Sequence, residues 1–438
     1  MTARRRVAVF LMISACAGCG ANPDVGKPPE GVPAGKITPL TDAKAARFGH
    51  AVEAAVKAGD LAALAKLIDL DAIANAAVAP LDLTDTQKKA NAAALRNGLA
   101  GPNSFFDTLA KNVAAGGSCT WLHTRRNKQG ETTSIFRLLL PDGGMNYYEM
   151  KIVSMPHGAV VATDVFVILT GESLSETLGR MLKVMLAGEG KPAGLFSGKG
   201  RPKDSRSDVL IAMSKAMREN HPEQVLALYN SLPEQARNEK GILLQRVLAS
   251  SKLDQAQYTA AIEDYERRFP GDPSLDLVSI DGFLFKKQND KAAAALERLA
   301  SSLGGDPYLD GLRANLFNRM NQPEKADKLG REAVNADPAL EGGYSAVLTS
   351  SLTRKDYKTT AEYLDRFNGK FAVTSLQVAA TPDYEDFRAS PEGKAWLAKH
   401  AGDAKPQAKP AAGVPGSAPR PGALRKPAAS LKRPGRHN

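Results

Sequence analysis

The chain has few cysteines, few aromatic side chains and no apolar stretch long enough to cross a membrane as a helix. Three cysteines in 438 residues exclude a small fold framed by disulfides, and aromatic residues make up only 6%. No stretch reaches the roughly 20 apolar residues that a membrane-spanning helix needs. The length is enough for two or three domains with cores of their own.

Short motifs for catalysis and for metal binding are also missing. The six histidines show neither an HExxH pattern nor a clustered metal-ligand spacing. There is no GxSxG elbow, and Gly198-Lys199-Gly200 has neither the spacing of a P-loop nor its following Ser or Thr. We therefore expect a protein that is not an enzyme and that holds no cofactor or metal.

Positive charge is abundant, but it is concentrated at the two ends of the chain. The net charge is +11; Arg4, Arg5 and Arg6 supply +3, and residues 401–438 supply +7 from eight cationic side chains and one aspartate. The body between them is nearly neutral, so we expect no nucleic-acid partner. The tail 401–438 is rich in Ala and Pro and lacks apolar periodicity, which predicts a disordered segment capable of contacting a polyanion.

An Asp-Pro step recurs at Asp272, Asp306 and Asp337, at intervals of roughly 34 residues, a length typical of helix–turn–helix repeat units. The unit that ends at Pro273 resembles a tetratricopeptide (TPR) repeat, with small, aromatic and proline residues at the family's spacing: Leu248-Ala249, Ala261, Tyr265 and Pro273. The unit 307–338 keeps Ala314, Phe317, Ala326 and Pro338, and departs from the pattern at Asp310, Arg313 and Gly330. The resemblance implies stacked helical hairpins with a terminal cap over 207–400, which bind a protein partner. The alternative is a non-repetitive helical bundle.

The N-terminal segment 1–19 resembles the signal of a bacterial lipoprotein. Three arginines precede the apolar run 7–13, which small residues and cysteine follow. The resemblance implies lipidation at one of Cys16 and Cys19. No Asp follows either cysteine, which by the same resemblance favours the outer membrane, facing the periplasm. A plain secretory signal is the alternative. Lipidation at Cys16 would leave Cys19 free to pair with Cys119, although a buried, inert Cys119 is favoured.

Residues 41–186 predict an α+β domain. Helical patterns are followed by four strand-like segments with turn residues between them, at 119–127, 132–140, 146–155 and 160–169. A four-stranded antiparallel meander after helices resembles the cystatin-type cone of the NTF2-like superfamily. Another α+β fold remains the alternative. The predicted fold class is thus α+β followed by an all-α TPR-like solenoid.

A cone of that kind can enclose an apolar pocket. Strict alternation along 160–169 puts Asp164 on the same face as Ala162, which makes it a carboxylate in apolar surroundings if that face points inward. Tyr148 and His123 lie on neighbouring strands, so the candidate pocket residues are Asp164, Tyr148 and His123. An outward Asp164 beside ordinary core tyrosines is the competing interpretation, and it is the favoured one.

The predicted order is a signal (1–19), a Pro/Gly-rich tether (20–40), the α+β domain (41–186), a linker (187–206), the repeats (207–400) and the tail (401–438). We expect a lipid-anchored scaffold that binds a protein partner through its repeats. The alternative is a ligand-binding protein or enzyme that uses a pocket in the α+β domain, with the repeats as a targeting arm.

Overall fold

The computed structural model describes residues 40–128, 130–141, 143–187, 206–371 and 375–401. Several predicted segments therefore lie outside the described residues, wholly or nearly so: the signal with Cys16 and Cys19, the tether, the linker and the tail. Below, "the sheet part" means 40–187 and "the helical part" means 206–401. No helix of the described ranges is both long and apolar enough to span a bilayer.

The sheet part begins with five helices and ends with a sixth, with a sheet between them. The helices are α1 (Asp42–Ala58), α2 (Leu61–Leu67), α3 (Leu70–Val78), α4 (Asp85–Ala100), α5 (Phe105–Ala114) and α6 (Leu174–Ala187). The strands are β1 (Ser118–Arg126), β2 (Thr132–Leu139), β3 (Met145–Ser154), β4 (Val160–Val167) and β5 (Glu172–Ser173). All neighbours are antiparallel and follow chain order, so the sheet has one short strand more than the four predicted.

Local sequence explains where these helices begin. Thr84 and Gln87 form a capping box at the start of α4. At α6 the Ser173 hydroxyl accepts from the backbone N–H of Glu176, and the Glu176 carboxylate accepts from the backbone N–H of Ser173 at 2.7 Å. Gly59 ends α1 with a φ of 66°, a left-handed conformation that a glycine adopts without strain. These short-range signals fix the ends of the helices that cover one face of the sheet.

The sheet is buried on both faces. On β2, Phe136 and Leu138 belong to a core shared with the helices α1 to α6. The alternate residues Ile135 and Leu139 belong to a second core, which they share with the helical part. Because successive side chains of a strand point to opposite faces, the central strands form the middle layer of three.

The helical part consists of antiparallel helices joined by short turns. Their bounds are α7 (Arg206–Arg218), α8 (Pro222–Ser231), α9 (Glu234–Arg237), α10 (Lys240–Ser250), α11 (Gln255–Arg268), α12 (Pro273–Phe285), α13 (Asn289–Leu303), α14 (Pro307–Arg319), α15 (Pro323–Ala336), α16 (Glu341–Thr353), α17 (Tyr357–Phe371), α18 (Ser375–Ala380), α19 (Glu385–Ala389) and α20 (Pro391–Lys399). Each helix from α10 to α16 packs against the next one along the chain. The Asp-Pro steps at 272 and 306 begin α12 and α14, with proline at the first helical position.

Glycines let α14, α15 and α16 approach closely. A Cβ added at Gly330 would lie 2.9 Å from Val347 Cγ2, and one at Gly343 would lie 2.8 Å from Val334 Cγ2. A side chain at Gly330 would therefore collide with the neighbouring helix α16, which is the physical reason for a glycine at this position.

Candidate functional site

The sheet part and the helical part meet at a buried polar junction, and Arg137 is at its centre. Arg137 projects from β2 toward the helical part and is 2% exposed. Its Nη1 lies 2.5 Å from Oδ1 of Asp306, which is 1% exposed at the N-terminus of α14. Its guanidinium carbon also lies 5.1 Å from the centre of the Tyr308 ring. A buried cation on the sheet is thus paired with a buried anion on the helices.

Asp306 is fully engaged at this junction. Its Oδ1 accepts a hydrogen bond from the backbone N–H of Tyr308 at 3.0 Å, which caps α14. Its Oδ2 accepts from the hydroxyl of Tyr147 at 2.7 Å. Arg137 and Tyr147 are directly opposite each other on β2 and β3, so side chains from two neighbouring strands contact Asp306 at the N-terminus of α14. Burial and the adjacent carboxylate raise the pKa of Tyr147 far above its usual value, so this hydroxyl remains a donor.

A second anchor lies at the preceding Asp-Pro step, and here the cation belongs to the helical part. Asp272 caps α12 by accepting from the Ser274 N–H at 2.9 Å, and it is paired with Lys240 of α10. Lys240 also donates to the carbonyl oxygen of Gly171 at 2.6 Å. Gly171 has a φ of 59°, and a Cβ there would collide with Lys240 and Ser274. The turn after β4 therefore needs a glycine to approach the helices this closely.

The contacts on the helical part recur at equivalent positions. Lys240, Ser274 and Tyr308 are evenly spaced along the chain, and all three lie in the first turn of their helices. The sheet therefore covers the same end of α10, α12 and α14. Between the charged anchors the junction is apolar, and Leu243, Val247 and Leu277 have no exposed surface.

A third contact joins β1 to the C-terminus of α13. The His123 Nε2 donates to the Leu303 carbonyl at 2.9 Å, and Arg125 Nη1 donates to the Ser302 carbonyl at 2.5 Å. These carbonyls belong to the last turn, where a helix leaves acceptors unpaired and favours positive charge. His123, a candidate pocket residue, is thus part of the junction instead.

Tyr148 and Asp164 lie elsewhere. Tyr148 faces the opposite side of the sheet, 2% exposed, with its ring 5.3 Å from that of Phe105 in an edge-to-face contact, and burial raises its pKa. Asp164 accepts from its neighbour Val165 N–H at 2.8 Å and from the Ser175 N–H at 3.2 Å, near the start of α6. The three candidate pocket residues therefore contact three different elements, and the structure does not bring them together.

A bulge explains why alternation misplaced Asp164. Lys151 pairs with Asp164 but the next residue, Ile152, pairs with Ala162, so Thr163 is an extra residue in β4. Ala162 and Val165 both belong to the core under α1 to α6. The prediction that Ala162 and Asp164 share a face is therefore wrong. Asp164 instead helps to satisfy the first amides of α6.

Cys119, the cysteine within the described ranges, forms no disulfide there. Cys119 is a buried free thiol, 5% exposed, in the core between the sheet and α1 to α6. Burial, together with the nearby Glu53 carboxylate, raises the pKa of Cys119 to about 12. The thiol is therefore neutral and inert at ordinary pH. Across the described ranges, no group of three or more His, Cys, Asp or Glu side chains is arranged to hold a metal ion.

A second polar cluster attaches the last helix. Asp365 of α17 accepts from Trp396 Nε1 at 2.8 Å, Lys399 Nζ at 2.6 Å and His400 Nε2 at 2.8 Å. Burial raises the pKa of Asp365, but hydrogen bonds from Lys399, His400 and Trp396 outweigh it and lower the pKa overall. One carboxylate thus holds the end of α20 against α17.

Sequence reasoning missed the junction, although one signal was present. Arg137 interrupts the apolar run Ile135-Phe136-Arg137-Leu138-Leu139-Leu140, and a charge within a buried strand requires a buried partner. In the sequence that partner, Asp306, shows only as part of an Asp-Pro step. Nothing local links two residues that are 169 positions apart.

Comparison of the chain with protein-family models, with curated proteins and with solved structures finds no match. The functional interpretation therefore rests on the residues and their geometry.

Proposed function

We propose that this protein is a non-enzymatic interaction scaffold, held by lipid in a bacterial envelope, that binds a protein partner with its helical part. The observation that carries the proposal is the junction. The alternate helices α10, α12 and α14 present equivalent first-turn residues, Lys240, Ser274 and Tyr308, to a folded sheet. Helical arrays typically recognise proteins through residues at equivalent positions of their repeats, and here such residues already contact the folded sheet part.

The finer architecture belongs to the same proposal. The spacing of the capped starts of α12 and α14 supports a TPR-like solenoid. The packing of α1 across β1 and β4 supports an NTF2-like sheet part.

The surface proposed for the partner lies on α16 and α17, beyond the helices that the sheet covers. Arg366 stacks on Tyr363 and Tyr344, with its guanidinium carbon 4.7 Å and 5.9 Å from the ring centres. Within the described ranges it has no carboxylate partner. Phe367 and Phe371 extend this surface; both are half-buried, and the centres of their rings are 4.6 Å apart. Tyr344 and Tyr363 are themselves buried. A partner would therefore meet the guanidinium of Arg366 and the half-buried rings of Phe367 and Phe371. A planar cation beside such rings is suited to a partner segment with an acidic and an apolar side chain.

The pocket alternative is less well supported. His123, Tyr148 and Asp164 are each engaged by a different element, and both faces of the central strands are packed. We therefore favour the scaffold over a ligand-binding protein or enzyme.

The lipid anchor is proposed from Cys16 and Cys19, with the outer membrane as the destination. Growth with labelled fatty acid tests it: the protein should carry the label, and replacing both cysteines with Ser should abolish it and release the protein from membranes. An unlabelled wild-type protein would remove the anchor from the proposal.

The partner surface is tested by photo-crosslinking in cells. A photoreactive amino acid at Lys370, exposed and one turn from Arg366, should give a discrete protein adduct, and Arg366→Glu should abolish it. The matched control places the photoreactive group at Lys291, exposed on α13. Equal adducts at both positions, or an adduct indifferent to Arg366→Glu, would contradict the proposed surface.

A further inference from the structure

Leu40, which comes just before α1, lies at one end of the sheet. Arg126, the last residue of β1, donates from Nη2 to the Leu40 carbonyl at 2.7 Å. The same guanidinium lies 3.9 Å from the Asp42 carboxylate at the start of α1. Leu40 and the start of α1 therefore lie beside the turn that joins β1 to β2.

The turn between β3 and β4 lies at this same end, because in an antiparallel sheet whose strands follow chain order, alternate turns lie at the same end of the strands. Lys44 of α1 reaches it, with Nζ 3.8 Å from the position of a Cβ on Gly158. The two turns and the first turns of α1 thus form one surface, which we call the entry surface.

The entry surface carries an excess of positive charge. Its six cations outnumber its three carboxylates and give a net charge of +3; they are Lys44, Arg47, Arg125, Arg126, Lys128 and Lys151, against Asp42, Glu131 and Glu149. The carboxylates are paired with Arg126, Lys151 and Arg125. Within the described ranges, Lys44, Arg47 and Lys128 have no carboxylate partner. The body as a whole is nearly neutral, so this excess is a local feature.

We propose that the entry surface docks on anionic lipid headgroups. The inference rests on the proposed lipid anchor, because the segment from Cys19 to Leu40 reaches at most about 70 Å when fully extended. An anchored chain would therefore keep this surface within about 70 Å of the bilayer, so that it meets the headgroups repeatedly. Unpaired lysines and arginines close to an anionic surface each strengthen binding by roughly fivefold, and salt weakens the effect.

Vesicle flotation tests the proposal with the full chain, in which Cys16→Ser and Cys19→Ser remove any contribution from acylation. Vesicles of phosphatidylcholine are compared with vesicles that also contain phosphatidylglycerol. The test variant is Lys44→Glu with Lys128→Glu. The control is Lys291→Glu with Lys328→Glu, which makes the same charge change at exposed positions of α13 and α15. The cationic tail is present in every sample, so its contribution cancels.

We expect the test variant to lose at least about tenfold in affinity for the anionic vesicles, and the control to change by less than about twofold. Equal losses would show that only total charge matters, and no loss in the test variant would show that the entry surface does not dock; either result overturns the proposal. Both variants should keep the wild-type melting temperature, since Glu in the first turn of α1 suits the helix dipole. This assay is independent of the fatty-acid label, so failure of docking and failure of the anchor are distinguishable.

Discussion

Replacing Arg137 with Met should uncouple the sheet part from the helical part. The change leaves the Asp306 carboxylate, 1% exposed, without its cation. Removal of one partner from a buried ion pair typically destabilises a protein by about 3–5 kcal/mol. Asp306→Asn should have a similar effect. Its single amide oxygen can still cap α14, but the amide nitrogen that replaces Oδ2 cannot accept from Tyr147, and Arg137 keeps only the Asp337 carboxylate, 4.0 Å from Nη2.

The double variant, Arg137→Met with Asp306→Asn, separates the pair from its surroundings. With both charges gone, neither is left buried alone, so the loss should be smaller than the sum of the single losses by about 1–3 kcal/mol. Arg298→Met provides the control, because its partner Asp276 forms a surface pair in which the arginine side chain is 60% exposed. Such a pair contributes about 0–1 kcal/mol.

Urea unfolding followed by tryptophan fluorescence measures these losses on both sides of the junction. Trp121 reports the sheet part, where its Nε1 donates to Ser134 at 2.9 Å, and Trp396 reports the helical part, where it donates to Asp365. Each is observed alone after Trp→Phe at the other position. In the reference protein the two transitions should coincide, and in Arg137→Met they should separate. A loss below about 1 kcal/mol with coincident transitions would refute the role of the buried pair.

Two further outcomes follow from the packing and from the Asp365 cluster. Gly330→Val should overpack the contact with Val347 and lower the free energy of unfolding by about 1–3 kcal/mol, measured by urea titration; Gly369→Val, with open space around its Cβ, should lose much less. Asp365→Asn should destabilise the protein at neutral pH. The pKa of Asp365 is lowered in the folded state, so its contribution is present above the ordinary Asp pKa and is lost as pH falls through the folded value. Thermal melts of both forms should therefore converge in acid, and a constant difference would contradict the assignment.

Much of the secondary structure was predictable because its signals are local. The Asp-Pro steps at Asp272 and Asp306, predicted from the sequence as the ends of repeat units, lie at the starts of α12 and α14, and Ser173 with Glu176 caps the start of α6. The fifth strand was missed, since Glu172–Ser173 is too short to show a period of two. The prediction that Ala162 and Asp164 share a face was wrong because Thr163 is a single extra residue, which reverses the faces of a strand without leaving a signal in its composition.

By itself, the sequence determined the mixed architecture, a sheet region followed by helices, because hydrophobic periodicity and helix caps depend on residues within a few positions of one another. The tertiary structure decided what the capping aspartates do besides capping. Asp306 meets Arg137 and Tyr147 only when two strands are laid across the ends of the helices. The energy of a buried charge depends on the partner that the fold places beside it, and that partner is 169 positions away in the chain.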